Sequence, residues 1–92
     1  MQINVTRNTA RSRYEALVDG EVAGFADYVL GEETITFPHT VVEPKWEGKG
    51  VASALAKVSL EEVRAEGARK VVPECPFYRG YIERHPEYAE LV

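Results

Sequence analysis

The stretch Glu47-Gly48-Lys49-Gly50-Val51-Ala52 is where this sequence carries its clearest chemical signal. Gly48 and Gly50 let a backbone approach a ligand with no Cβ in the way, and Lys45 and Lys49 place positive charge beside them. If a helix opens at Val51, the unpaired N–H groups of its first turn, Val51 to Ser53, and the positive end of its dipole converge on the loop. That arrangement suits a phosphate or pyrophosphate. Other phosphate loops fit less well. A P-loop needs Gly-Lys followed by Ser or Thr, and Lys49 is followed by Gly50; a dinucleotide fingerprint needs a third Gly or Ala where this chain has Ser53. The remaining reactive side chains are few. His39 is of the type whose protonation changes near neutral pH, Glu74 is a second candidate base, and Cys75 is either a nucleophile or buried packing. Tyr78 and Tyr81 are either core aromatics or hydroxyl donors, and Arg79 and Arg84 are either solvated or phosphate ligands.

The elements that must position these residues fall into two halves. In the first, Ile3–Asn8 is β-permissive, and Arg13–Val18 runs into Asp19-Gly20, a two-residue hairpin signal, with Glu21–Leu30 returning as the partner strand. Thr34–Phe37 and Thr40–Val42 form a further β-rich run that Pro38 must bulge or split, because proline donates no ladder hydrogen bond. In the second half the period changes. Val51–Glu66 contains neither Pro nor Gly, and its apolar residues recur at three- and four-residue steps, so an amphipathic helix is predicted, with Gly67 as its left-handed cap. Lys70–Val72 resumes extended structure, and a second helix is expected from Pro76 to Arg84, ended by His85-Pro86. The order implies an α+β fold with a mixed sheet, in which a right-handed crossover sets the strand near Val71 parallel to the strand near Val41.

With 92 residues the chain has room for one core, and a single domain over 1–92 is expected. A formal charge of −4, with eleven Lys and Arg interleaved among acids, argues against a nucleic-acid surface and favours an amine-bearing acceptor. One cysteine permits no internal disulfide, and no apolar run approaches the roughly 20 residues that cross a bilayer. A cytoplasmic protein, monomeric or weakly dimeric, is expected.

The loop resembles the coenzyme A loop of the GNAT superfamily of N-acetyltransferases, Arg/Gln-x-x-Gly-x-Gly/Ala, with Glu47 in place of the usual Arg or Gln. A closer resemblance, over nearly the whole chain, is to the small GNAT-like subfamily, carried by Gly48-Lys49-Gly50, Ser53-Ala54-Leu55, Cys75-Pro76-Phe77, Tyr81-Ile82 and His85-Pro86-Glu87-Tyr88. It implies a splayed V between the strand ending at Val42 and the strand ending at Cys75, with acetyl-CoA lying in the gap as cosubstrate. It further implies coenzyme contacts from Val41, Val42, Glu47, Gly48, Lys49, Gly50, Val51, Ala52, Ser53, Tyr78 and Arg79. Cys75, His39 and Tyr81 are the candidate catalytic residues, Tyr81 as the acid for the departing thiolate. The acceptor implied is an amine, on a small molecule or a protein, and the alternative function is a coenzyme A or acyl-CoA binding module without turnover.

Overall fold

The computed structural model describes residues 2–92. Strands β1 (Asn4–Asn8), β2 (Arg13–Val18) and β3 (Glu21–Asp27) form an antiparallel meander in which Tyr14, Ala16 and Val18 alternate with half-exposed neighbours and point into the core. The β2–β3 hairpin turns at Asp19-Gly20, both with positive φ.

The second hairpin is broken in the middle. β3 continues past Tyr28 into β4 (Val29–Leu30), and β5 (Thr34–Thr36) continues past residues 37–39 into β6 (Thr40–Val42). Val29 faces Thr36, and Ala26 faces Thr40. Between these rungs Asp27 and Tyr28 oppose Phe37, Pro38 and His39, so the second strand carries one extra residue, a bulge where Pro38 has no N–H to give.

The bulge splits one sheet surface into two hydrogen-bonded sets, β1-β2-β3-β6 and β4-β5-β7, where β7 is Lys70–Val72. β7 runs parallel to β5, with Ile35 opposite Val71, and not to the strand at Val41 as the sequence predicts. The reason is the bulge itself. Upstream of it the strand meets β7, the last rungs being Phe37 N–H to the Val72 carbonyl (3.1 Å) and Cys75 N–H to the Phe37 carbonyl (2.8 Å); downstream it turns away and pairs with β3 alone.

Helix α1 (Val51–Glu66) buries Val51, Leu55, Ala56, Ser59, Leu60 and Val63 and ends where Gly67 donates to the Val63 carbonyl. Helix α2 (Pro76–Arg84) packs beside it: the Tyr78 hydroxyl lies 2.8 Å from Ser59 Oγ, and its ring stacks on Phe37 at 4.4 Å. A 3-10 turn over Pro86–Leu91, which the sequence pattern does not reveal, buries Tyr88 and Leu91 and returns the Tyr88 hydroxyl to Glu61 on α1 at 2.6 Å. Among the described residues no helix covers the opposite sheet face, where Val29, Val41 and Val72 are exposed.

Candidate active site

Between β6 and α1 the chain makes a 3-10 turn at Pro44–Trp46, closed by Trp46 N–H to the Glu43 carbonyl and Glu47 N–H to the Pro44 carbonyl. It then passes Gly48 (φ 75°) and Gly50 (φ 88°) before α1 begins. Both glycines sit in the left-handed region, and a Cβ built on either would meet no atom within 4 Å. The space above them is open for a ligand. No side chain caps α1, and the first helical bond is Ala54 N–H to the Gly50 carbonyl, so the N–H groups of Val51, Ala52 and Ser53 have no main-chain partner among the described residues. Those amides and the helix dipole form an anion cradle.

The cradle opens onto the free edge of β6. Asp27 N–H donates to the His39 carbonyl, and Glu43 N–H donates to the Ala23 carbonyl, so residues 39, 41 and 43 turn their main-chain groups toward β3. In an antiparallel ladder the intervening residues, Thr40 and Val42, must turn theirs away. That side of β6 has no partner strand. Edge and cradle together bound a crevice of about 440 Å³ lined by Thr40, Val42, Trp46, Glu47, Gly48, Gly50, Val51, Ala52, Ser53 and Phe77. At its inner end the Thr40 hydroxyl lies 3.3 Å from Cys75 Sγ, joining the two strands that part at the bulge. Cys75 is buried, at the residue that caps α2.

The predicted site residues separate into two groups. Val42, Glu47, Gly48, Gly50, Val51, Ala52 and Ser53 line the crevice, and Cys75 adjoins it through Thr40. Lys49 sits in the same loop without an ion pair among the described residues, whereas Lys45 is held by Glu21 at 2.6 Å.

The structure places the others elsewhere. Val41 pairs with Phe25, which sends its side chain to the outer sheet face and its main-chain groups to β3. Tyr78 is wholly buried; its hydroxyl contacts Ser59 and, at 3.5 Å, the Leu55 carbonyl, and burial raises its pKa well above the ordinary tyrosine value. It is a core residue and does not line the crevice. Tyr81 stacks on His85 at 3.9 Å and lies beside Tyr88 and Phe77; burial and then the Glu87 and Glu61 carboxylates raise its pKa. It does not line the crevice, and a raised pKa makes a poorer proton donor. The Arg79 guanidinium is turned back onto the carbonyls of Pro73 and Glu74, at 3.2 and 2.9 Å. His39 stands on the outer side of the bulge, exposed, 4.0 Å from the Asp27 carboxylate.

Sequence reasoning missed Thr40 as a lining residue. The signal was present in strand alternation, since Thr40 and Val42 share one face, but reading it required the register of the bulge. Phe77, from the Cys75-Pro76-Phe77 element, and Trp46, beside the glycine loop, line the crevice as well.

A family model described as GCN5-related N-acetyltransferase matches residues 13–91. The NMR solution structure of a GCN5-like protein from Staphylococcus aureus superposes with a TM-score of 0.72 at 20% identity, over 96% of this chain and 85% of that one, a likeness that shows the fold. No curated protein sequence matches.

Proposed function

Because the chain belongs to the GCN5-related N-acetyltransferase family, we propose that it transfers the acetyl group of acetyl-CoA to an amine, binding the coenzyme in the crevice at the start of α1. The observation that carries this reading is the junction of the unpaired amides at the start of α1 with the free edge of β6, in one crevice whose Thr40 hydroxyl touches the buried Cys75 Sγ. The cradle suits the pyrophosphate, and the Thr40 and Val42 edge suits the amides of the pantetheine arm, which lies as an added strand would.

In the transfer the amine nitrogen attacks the thioester carbonyl carbon, the C–S bond breaks, and the coenzyme leaves as a thiolate that must take up a proton. A main-chain N–H on the β6 edge stabilises the carbonyl oxygen as it gains charge. Cys75, buried directly behind Thr40, is the side chain we assign to the departing sulfur, with Thr40 fixing its orientation. The amine must be neutral when it attacks. We assign its proton to His39, through water, with Asp27 behind it; both lie on the helix-free sheet face, from which an acceptor reaches the split between β6 and β7. That open face suits a lysine of a protein or peptide, an N-terminus or a small amine, met in the cytoplasm by a monomer or weak dimer.

A second reading, a coenzyme-binding module without turnover, is favoured by one observation: neither α2 tyrosine presents its hydroxyl to the crevice. Calorimetric titration with coenzyme A and acetyl-CoA, followed by thiol release in the presence of amines and peptides, separates the two. Binding with acceptor-dependent release supports the enzyme, binding without release over any acceptor supports the module, and no binding at millimolar ligand contradicts both.

A further inference from the structure

We propose that Glu21 is a positioning residue for the coenzyme: from the first residue of β3 it fixes Trp46 as a wall of the crevice. This role rests on the coenzyme reading above. Trp46 belongs to a 3-10 turn with no buried residue, held by two hydrogen bonds within itself and by Glu43 N–H to the Ala23 carbonyl at its start. Main-chain bonds set the path of such a turn, and the half-buried indole packs on the edge of the core. Glu21 adds the polar contact that fixes which way its Nε1 points. Its carboxylate accepts from Trp46 Nε1 at 3.2 Å and from Lys45 Nζ at 2.6 Å, while the Lys45 ammonium sits 5.4 Å from the centre of the Trp46 ring. One carboxylate thus ties two consecutive residues of the turn to a strand of the sheet.

Each contact alone is an exposed pair of small energetic value. Their shared carboxylate is what gives them consequence, because a ring held in one place need not be ordered when a ligand arrives. The arrangement has an electrostatic side as well. Lys45 is engaged by Glu21, which leaves Lys49 as the cation of the loop available to a phosphate.

The test uses the whole chain and acetyl-CoA, read by the emission of Trp46, the only tryptophan. Glu21→Gln is expected to shift the emission of the ligand-free protein to longer wavelength and to weaken acetyl-CoA binding by about three- to tenfold, the effect of having one side chain to immobilise. The melting temperature should stay within about 2 °C, since the pair is exposed. Glu21→Asp should recover part of the affinity. Lys45→Met, which leaves the indole bond in place, should change affinity less than about twofold, and adding it to Glu21→Gln removes any attraction from a freed ammonium. Trp46→Phe, followed by calorimetry, should match Glu21→Gln. Equal or tighter binding in Glu21→Gln and in the double variant would overturn the role of Glu21 alone. Absence of binding by the unsubstituted chain would overturn the coenzyme reading and this role with it.

Discussion

Ser53 separates binding from folding better than the loop glycines do. An L-residue at Gly50, with φ at 88°, would strain the backbone by about 1–2 kcal/mol, so a substitution there confuses cradle and chain. Ser53 is exposed in the first turn of α1, where a carboxylate interacts favourably with the dipole by about 0.3–1 kcal/mol. Ser53→Glu should therefore leave the melting temperature unchanged or slightly higher. Yet two like charges about 4 Å apart repel by about 1–4 kcal/mol, so acetyl-CoA binding, measured by calorimetry, should weaken about tenfold or more. Cys75→Ala should lower turnover about 100-fold, in the range of a lost proton donor, with affinity nearly unchanged. Glu21 supplies a pH prediction. Hydrogen bonds from Lys45 and then Trp46 hold its pKa below the ordinary 4.5, and a carboxyl lowered in the folded state stabilises above the ordinary value and loses that contribution as pH falls through its folded value. The groups around it are Lys45 and Glu43. Trp46 emission should hold from neutrality through pH 4.5 and change only below it, and Glu21→Gln should lack the transition. A midpoint at or above 4.5 in the unsubstituted chain would contradict the hold of Glu21 on Lys45 and Trp46.

At the scale of elements, the site depends on how closely β3, β6 and α1 approach one another. A Cβ at Gly24 would lie 2.6 Å from the Val41 carbonyl oxygen and 3.0 Å from Val51 Cγ1. Gly24→Ala should cost about 1–3 kcal/mol in denaturant unfolding and weaken acetyl-CoA binding too, because it moves the β6 edge against the start of α1. Tyr78→Phe makes the opposite case. It should cost about 1 kcal/mol for the lost hydroxyl contacts and leave affinity unchanged, as suits a residue buried between α1, α2 and Phe37. Helix α1 was legible to the residue because sixteen positions carry one period between two glycines, and the β2–β3 hairpin because Asp19-Gly20 fixes the turn. Pro38 announced a bulge but not its register. Register decided that Thr40 and Val42, rather than Val41, face the crevice, and that β7 pairs upstream of the bulge. The 3-10 turn at Pro86–Leu91 was invisible because three-residue turns leave no amphipathic period, and with it the aromatic cluster around Tyr81, since the turn supplies Tyr88.

Across the whole molecule, α1 and α2 share one face of the sheet, and the strands part beneath them. The crevice is therefore reached from the helix side and the bulge from the other, so the proposed function would set coenzyme and acceptor on opposite sides of one split. The crevice side was readable in the sequence because a glycine loop before a helix is local. The open side at the bulge was not, because it depends on which sheet face is left uncovered. The most direct test of the central claim is an amide chemical-shift titration of the ¹⁵N-labelled chain with acetyl-CoA. The account predicts the largest shifts at Gly48 to Ser53, Thr40 and Val42, with Gly67 to Lys70 at the far end of α1 unmoved. Shifts centred on that far end, or none at saturating ligand, would contradict it.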